Sequence, residues 1–124
     1  MPNPNATDVL TIERHGDVTL IIATPALESL DASLEQQVTE VVMSAVRDQD
    51  NPLVVFDLGE VQYFGSMFLA VVLRCWKLIS ARGGMMALAG VSPHARELLR
   101  LTALDMIWPM YATRREAIEA LMSD

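Results

Sequence analysis

Apolar residues along this 124-residue chain change their spacing several times, and each change marks an element. Residues 9 to 14 (VLTIER) and 18 to 24 (VTLIIAT) are rich in β-branched side chains and are separated by HGD, the pattern of two strands joined in a hairpin. Residues 25 to 33 read as a loop. In SLEQ, Ser33 and Gln36 have capping-box spacing, with Asp31 as a competing cap, so a helix begins there. Leu34, Val38, Val41, Val42, Ala45 and Val46 then share one helical face, with Glu35, Gln37, Glu40 and Arg47 on the other.

Residues 53 to 58 (LVVFDL) form a nearly continuous apolar run, as expected of a strand covered on both faces. The spacing predicts a helix of about four turns over 66–81, stopped by the glycines of RGG. MMALAG is another short buried strand, and Ser92 with Pro93 opens a further helix. MIWPMY is a short extended piece, and Thr113 in TRRE caps a last helix through AIEALM. The order is β-β-α-β-α-β-α-(β)-α. That is an α/β domain: a mixed, mainly parallel sheet with an initial hairpin and about four helices packed on it. A single domain over 8–122 is expected, preceded by a polar, proline-punctuated and flexible N-terminus over 1–7.

Charge and composition exclude several functions. A net charge of −7 argues against a phosphate-backbone partner, so no direct nucleic acid contact is expected. The single cysteine, Cys75, permits no intrachain disulfide and points to a reducing, cytoplasmic compartment. No apolar run reaches the roughly 18 residues of a membrane span, so no membrane insertion is expected. His15 and His94 have no second ligand at metal spacing, and no phosphate-binding or dinucleotide fingerprint is present. Neither a metal, a cofactor nor a catalytic group is expected. Asp57 and Glu60, three apart beside a strand end, read as a solvated pair.

One place carries chemistry. Ser66 stands where strand and loop give way to the 66–81 helix, and two readings of it follow. It is either a plain N-cap or a phosphorylation site, because a helix N-terminus favours an anion. Arg74 and Lys77 mark the solvent face of this helix. Helical spacing back from Arg74 reaches Ala70 and Met67, with Phe64, Gly65 and Phe68 close by. This apolar patch is either a protein-docking surface or core covered by neighbouring loops.

These residues resemble the STAS domain of anti-sigma factor antagonists (anti-anti-sigma factors). That family's central segment has the form D-L-[ST]-x-V-x-[FY]-[ILM]-D-S-[ST]-G-[LI], and here it stands without a gap from Asp57 to Leu69 as DLGEVQYFGSMFL. The downstream RGG, GVSP, LTALD and WPMY follow the family's succession as well. The resemblance implies a regulatory, non-enzymatic protein that binds a kinase-type anti-sigma factor, with Ser66 at the position of the phosphorylated serine. It also implies Phe64, Gly65, Met67, Phe68, Ala70 and Arg74 as candidate partner contacts. The chain departs from the pattern at three positions. Gly65 replaces the aspartate before the serine, Met67 replaces the small hydroxyl residue, and Phe68 replaces the glycine. The other reading is therefore a degenerate STAS subunit in a larger complex, such as a lipid-transport ATPase partner or a stress-signalling particle, working without a phospho-switch. Self-association is a further expectation for exposed apolar residues.

Overall fold

The computed structural model describes residues 9–29, 31–63 and 65–123. The expected N-terminal lead and Phe64 lie outside the described residues. The hairpin is formed by β1 (Leu10–His15) and β2 (Val18–Ala23), which pair antiparallel with Leu10 opposite Ala23. Gly16 turns the hairpin at φ 63, a left-handed conformation that a side chain would strain. A short 3-10 turn over Pro25–Ser29 lies within the expected loop. The helix α1 (Ala32–Ala45) follows, capped by Asp31, whose carboxylate accepts the Leu34 N–H at 2.8 Å. Asp31 therefore wins over Ser33, which lies inside the first turn.

Next come β3 (Leu53–Asp57), α2 (Ser66–Ala81), β4 (Met85–Ala89), α3 (Pro93–Leu101), β5 (Met110–Tyr111) and α4 (Arg114–Met122). The five strands lie in the order β1-β2-β3-β4-β5, and every pair after the hairpin is parallel. The caps at Ser92 and Thr113 form as expected, accepting the N–H of Ala95 and of Glu116.

Strand alternation sorts the core into two layers. Ile21, Val54, Phe56, Met86 and Leu88 face α1, α2 and α3, together with Val38, Val42, Val72, Ile79 and Leu99. Val18, Leu20, Val55, Ala87 and Ala89 face α4, which covers them with Ala117 and Leu121. The continuous apolar run of β3 is thus explained by burial on both sides. Trp108 is fully buried and meets Trp76 of α2 edge-on, with ring centroids 6.5 Å apart.

Two charged residues are placed against expectation. Glu35 belongs to the packed side of α1, where its carboxylate meets Arg74 of α2 at 3.0 Å. Asp57 makes no solvated pair with Glu60. It is buried, accepts the Gly59 N–H at 2.9 Å and is ion-paired with Arg114 at 2.6 Å, fastening the start of α4 to the end of β3. Neither partner was near in sequence, so helical and strand spacing alone did not reveal the pairing.

Candidate functional site

The segment between β3 and α2 is held by buried anchors and by hydrogen bonds to two other loops. Leu58 and Val61 are buried, and the Leu58 N–H donates to the Ala89 carbonyl at 2.8 Å. The Gln62 N–H donates to the Glu28 carboxylate at 3.0 Å, while the Gln62 carbonyl accepts the Ser92 hydroxyl at 2.8 Å. The backbone entering α2 is thereby clamped from both sides. Ser92 serves twice, because the same oxygen caps α3.

Gly65, not Ser66, is the N-cap of α2. Its backbone is extended (φ −81, ψ 166), and its carbonyl accepts the first helical bond, from the Leu69 N–H at 3.0 Å. Glycine offers no side-chain acceptor, so α2 starts without a side-chain cap. Ser66 is the first helical residue and is exposed. Among the described residues its hydroxyl has no hydrogen-bond partner. A free hydroxyl thus sits at the positive end of a 16-residue helix.

The surrounding patch divides. Met67 and Ala70 are half-buried, on the stripe that continues to exposed Arg74 and Lys77. Arg74 faces solvent but is engaged by Glu35. Phe68 is only 1% exposed and belongs to the core, which corrects its assignment as a surface contact. The reason is spacing: Phe68 lies on the same face as Val71, Val72 and Cys75, which pack onto the sheet. Burial pushes the Cys75 thiol up to about 12, with Arg74 partly offsetting it, so this group is no nucleophile at neutral pH.

Tyr63 and His94 were not foreseen as part of this end of the molecule. Tyr63 is 55% exposed and stands edge-on to the His94 ring, centroids 4.9 Å apart. They border a shallow cavity of about 420 Å³ that also involves Gly59, Gly90, Ser92 and Pro93. The signal that could have found Tyr63 is an aromatic residue in a loop just before a helix N-terminus. Its approach to His94 depends on the Ser92–Gln62 contact between two loops. No group of His, Cys, Asp and Glu among the described residues is arranged to hold a metal. Among the described residues, no helix is long and apolar enough to cross a membrane.

Comparison with known proteins agrees with this geometry. The STAS domain family matches residues 10–117. The anti-sigma F factor antagonist of Paenibacillus polymyxa is 30% identical over 92 residues, covering 74% of this chain and 79% of the relative. The solved structure of an anti-sigma-factor antagonist (STAS) domain protein from Planctomyces limnophilus has a TM-score of 0.80 at 31% identity, covering 92% of this chain and 98% of that one. The phosphorylated form of SpoIIAA, a cell fate determinant of Bacillus, shares the fold at a TM-score of 0.69 and 20% identity, covering 90% and 97%. With its mixed five-stranded sheet, initial hairpin and exposed serine at the head of α2, the chain belongs to the STAS domain family and is an anti-sigma factor antagonist-like, non-enzymatic member of it.

Proposed function

We propose that this protein is a cytoplasmic regulator that docks a kinase-type anti-sigma factor through the N-terminal end of α2 and is switched by phosphorylation of Ser66. The observation that carries the reading is the exposed hydroxyl of Ser66 at a helix N-terminus, without a hydrogen-bond partner among the described residues and beside half-buried Met67 and Ala70. In the transfer, the Ser66 oxygen attacks the γ-phosphorus of ATP, ADP leaves, and the hydroxyl proton passes to a base on the kinase. The product adds roughly −1.5 to −2 charges at a point where the helix end tolerates them. The fold therefore survives, while the desolvation cost of the phosphate opposes docking of an apolar partner surface. Met67, Ala70 and Tyr63 supply contact area, and Gly65 lets a partner backbone approach closely.

The test is incubation with ATP, Mg²⁺ and the anti-sigma kinase encoded nearest this gene, followed by intact mass analysis. One added phosphate, lost in Ser66→Ala, supports the switch. Docking is tested separately, by titrating the same kinase against the wild type, Met67→Asp and Ser66→Glu. Binding by the wild type that both variants weaken supports docking, even where no phosphate is transferred. Gly65 favours a second reading, a subunit of a larger complex without phospho-switching, because no acidic side chain adjoins the serine in sequence. Co-purification with transporter subunits in place of an ATP-binding kinase would select that reading.

A further inference from the structure

The free edge of the sheet carries an inference beyond the Ser66 switch. β1 is the first strand in the sheet order, so among the described residues only β2 pairs with it. Its hydrogen-bonding phase is fixed, because the Thr24 N–H donates to the Val9 carbonyl at 3.0 Å. In an antiparallel ladder this direction alternates. Val9, Thr11, Glu13 and His15 therefore turn their peptide groups toward β2, and Leu10, Ile12 and Arg14 turn theirs outward. The strand is six residues long, LTIERH, and contains no proline; its charges, Glu13 and Arg14, lie in its second half. Beside it, Leu10, Thr11, Ile12 and Val41 line a shallow hollow of about 300 Å³.

We propose that a second copy of this chain occupies this edge, its β1 running antiparallel about a two-fold axis through Ile12. That register pairs Ile12 with its own symmetry mate and Leu10 with Arg14 of the other copy, and every outward group finds a partner in about six hydrogen bonds. Charge is compatible with the same register. Glu13 then faces Thr11 and Arg14 faces Leu10, so no like charges are opposed across the seam. An axis through Arg14 would set two guanidinium groups against each other. An axis through Glu13 would set two carboxylates against each other. The two hollows meet around Ile12, giving an apolar seam flanked by Val41 of each copy. The interface is small and each copy carries −7, so the dimer is weak and tightens as salt screens the repulsion.

Sedimentation equilibrium of the full chain, from micromolar to submillimolar concentration, tests this. The mass should climb from 13.7 kDa toward twice that value, at lower concentrations in high salt. Arg14→Pro removes an outward N–H from each copy and no β1–β2 bond, so it should weaken association roughly tenfold or more while circular dichroism stays native. As an independent measurement, oxidation should link Ile12→Cys across the axis, where the α-carbons lie about 5.5 Å apart. Thr11→Cys should stay unlinked, because the two copies of residue 11 lie on opposite sides of the axis, two residues out of register. A monomer at every concentration, association indifferent to Arg14→Pro, or equal cross-linking of the two cysteine variants would each overturn the proposal.

Discussion

Which residue caps α2 decides how Ser66 is interpreted, and the two assignments differ measurably in stability. If the Ser66 oxygen capped the helix, Ser66→Ala would cost ~1 kcal/mol through a lost acceptor for a first-turn N–H. With Gly65 as the cap, Ser66 is an exposed helical residue, and alanine there removes no bond and has the higher helix propensity. Ser66→Ala should then change stability by no more than about 0.5 kcal/mol, and toward greater stability. Gly65→Asp probes the same point from the other side. A β-carbon at residue 65 would meet nothing nearer than the Glu28 carbonyl oxygen at 4.0 Å, and φ is −81, which any residue adopts. The new carboxylate supplies the missing cap, lies at the positive helix end and stiffens the unfolded chain. Together these are worth about 0.5–1.5 kcal/mol after some repulsion from the Glu28 carboxylate. Urea denaturation of the wild type and both variants, with m-values compared, is the assay. A loss near 1 kcal/mol in Ser66→Ala, or a destabilised Gly65→Asp, would return the cap to Ser66 and remove the free hydroxyl on which the proposed switch depends.

Three further outcomes follow from other sites. Ala103 sits at φ 62 without being glycine, so Ala103→Gly should raise stability by about 0.5–1 kcal/mol and lift the thermal midpoint. Arg114→Met strands the Asp57 carboxylate, whose side chain is 10% exposed. Because the guanidinium is 45% exposed, the cost should be about 1–2 kcal/mol by denaturation, below that of a fully buried pair. Cys75 has its pKa raised to about 12, so the folded state holds a proton that the unfolded chain releases near pH 9. Its contribution is complete below pH 9 and is lost as pH rises toward 12, and the alkaline decline should shrink in Cys75→Ala. At pH 8 the native thiol should resist Ellman's reagent until the protein unfolds.

Much of the fold was legible because its determinants are local. The hairpin turn at HGD, the caps at Ser92 and Thr113 and the glycine stop after Ala81 each depend on neighbours within four residues. Doubly covered β3 was readable from its unbroken apolar run. The misplacements share one cause, which is contact between distant segments. Glu35 has the spacing of a solvent-facing residue and is drawn inward by Arg74, which lies on another helix. Asp57 has the look of a strand-end carboxylate in water until α4 brings Arg114 to it. Tyr63 and His94 meet where the Ser92 hydroxyl ties the head of α3 to the loop before α2. At the candidate site the helix start at Ser66 was legible from spacing, but the cap at Gly65, which fixes the serine's register one residue inside it, was not.

That register changes what the departures from the STAS pattern mean. Three residues around Ser66 differ from the family form, and in sequence they look like one remodelled surface. In the fold they do three different things. Phe68 stands where the family has glycine, yet its ring is buried among the α2 core residues, so this change alters packing and adds little to the surface a partner meets. Met67 is half-buried on the stripe toward Arg74 and does extend the apolar surface. Gly65 removes the cap and the adjacent negative charge together. On the proposed function, docking and switching are therefore separable in this chain, since Met67 bears on contact area and Gly65 on the electrostatics of the serine. Met67→Ser should weaken partner binding with the rate of phosphate incorporation into bound complex unchanged. Gly65→Asp should alter that rate with little effect on affinity. Titration calorimetry and single-turnover labelling with the same kinase distinguish the two, and variants that moved both quantities in parallel would show the surface to be a single functional unit.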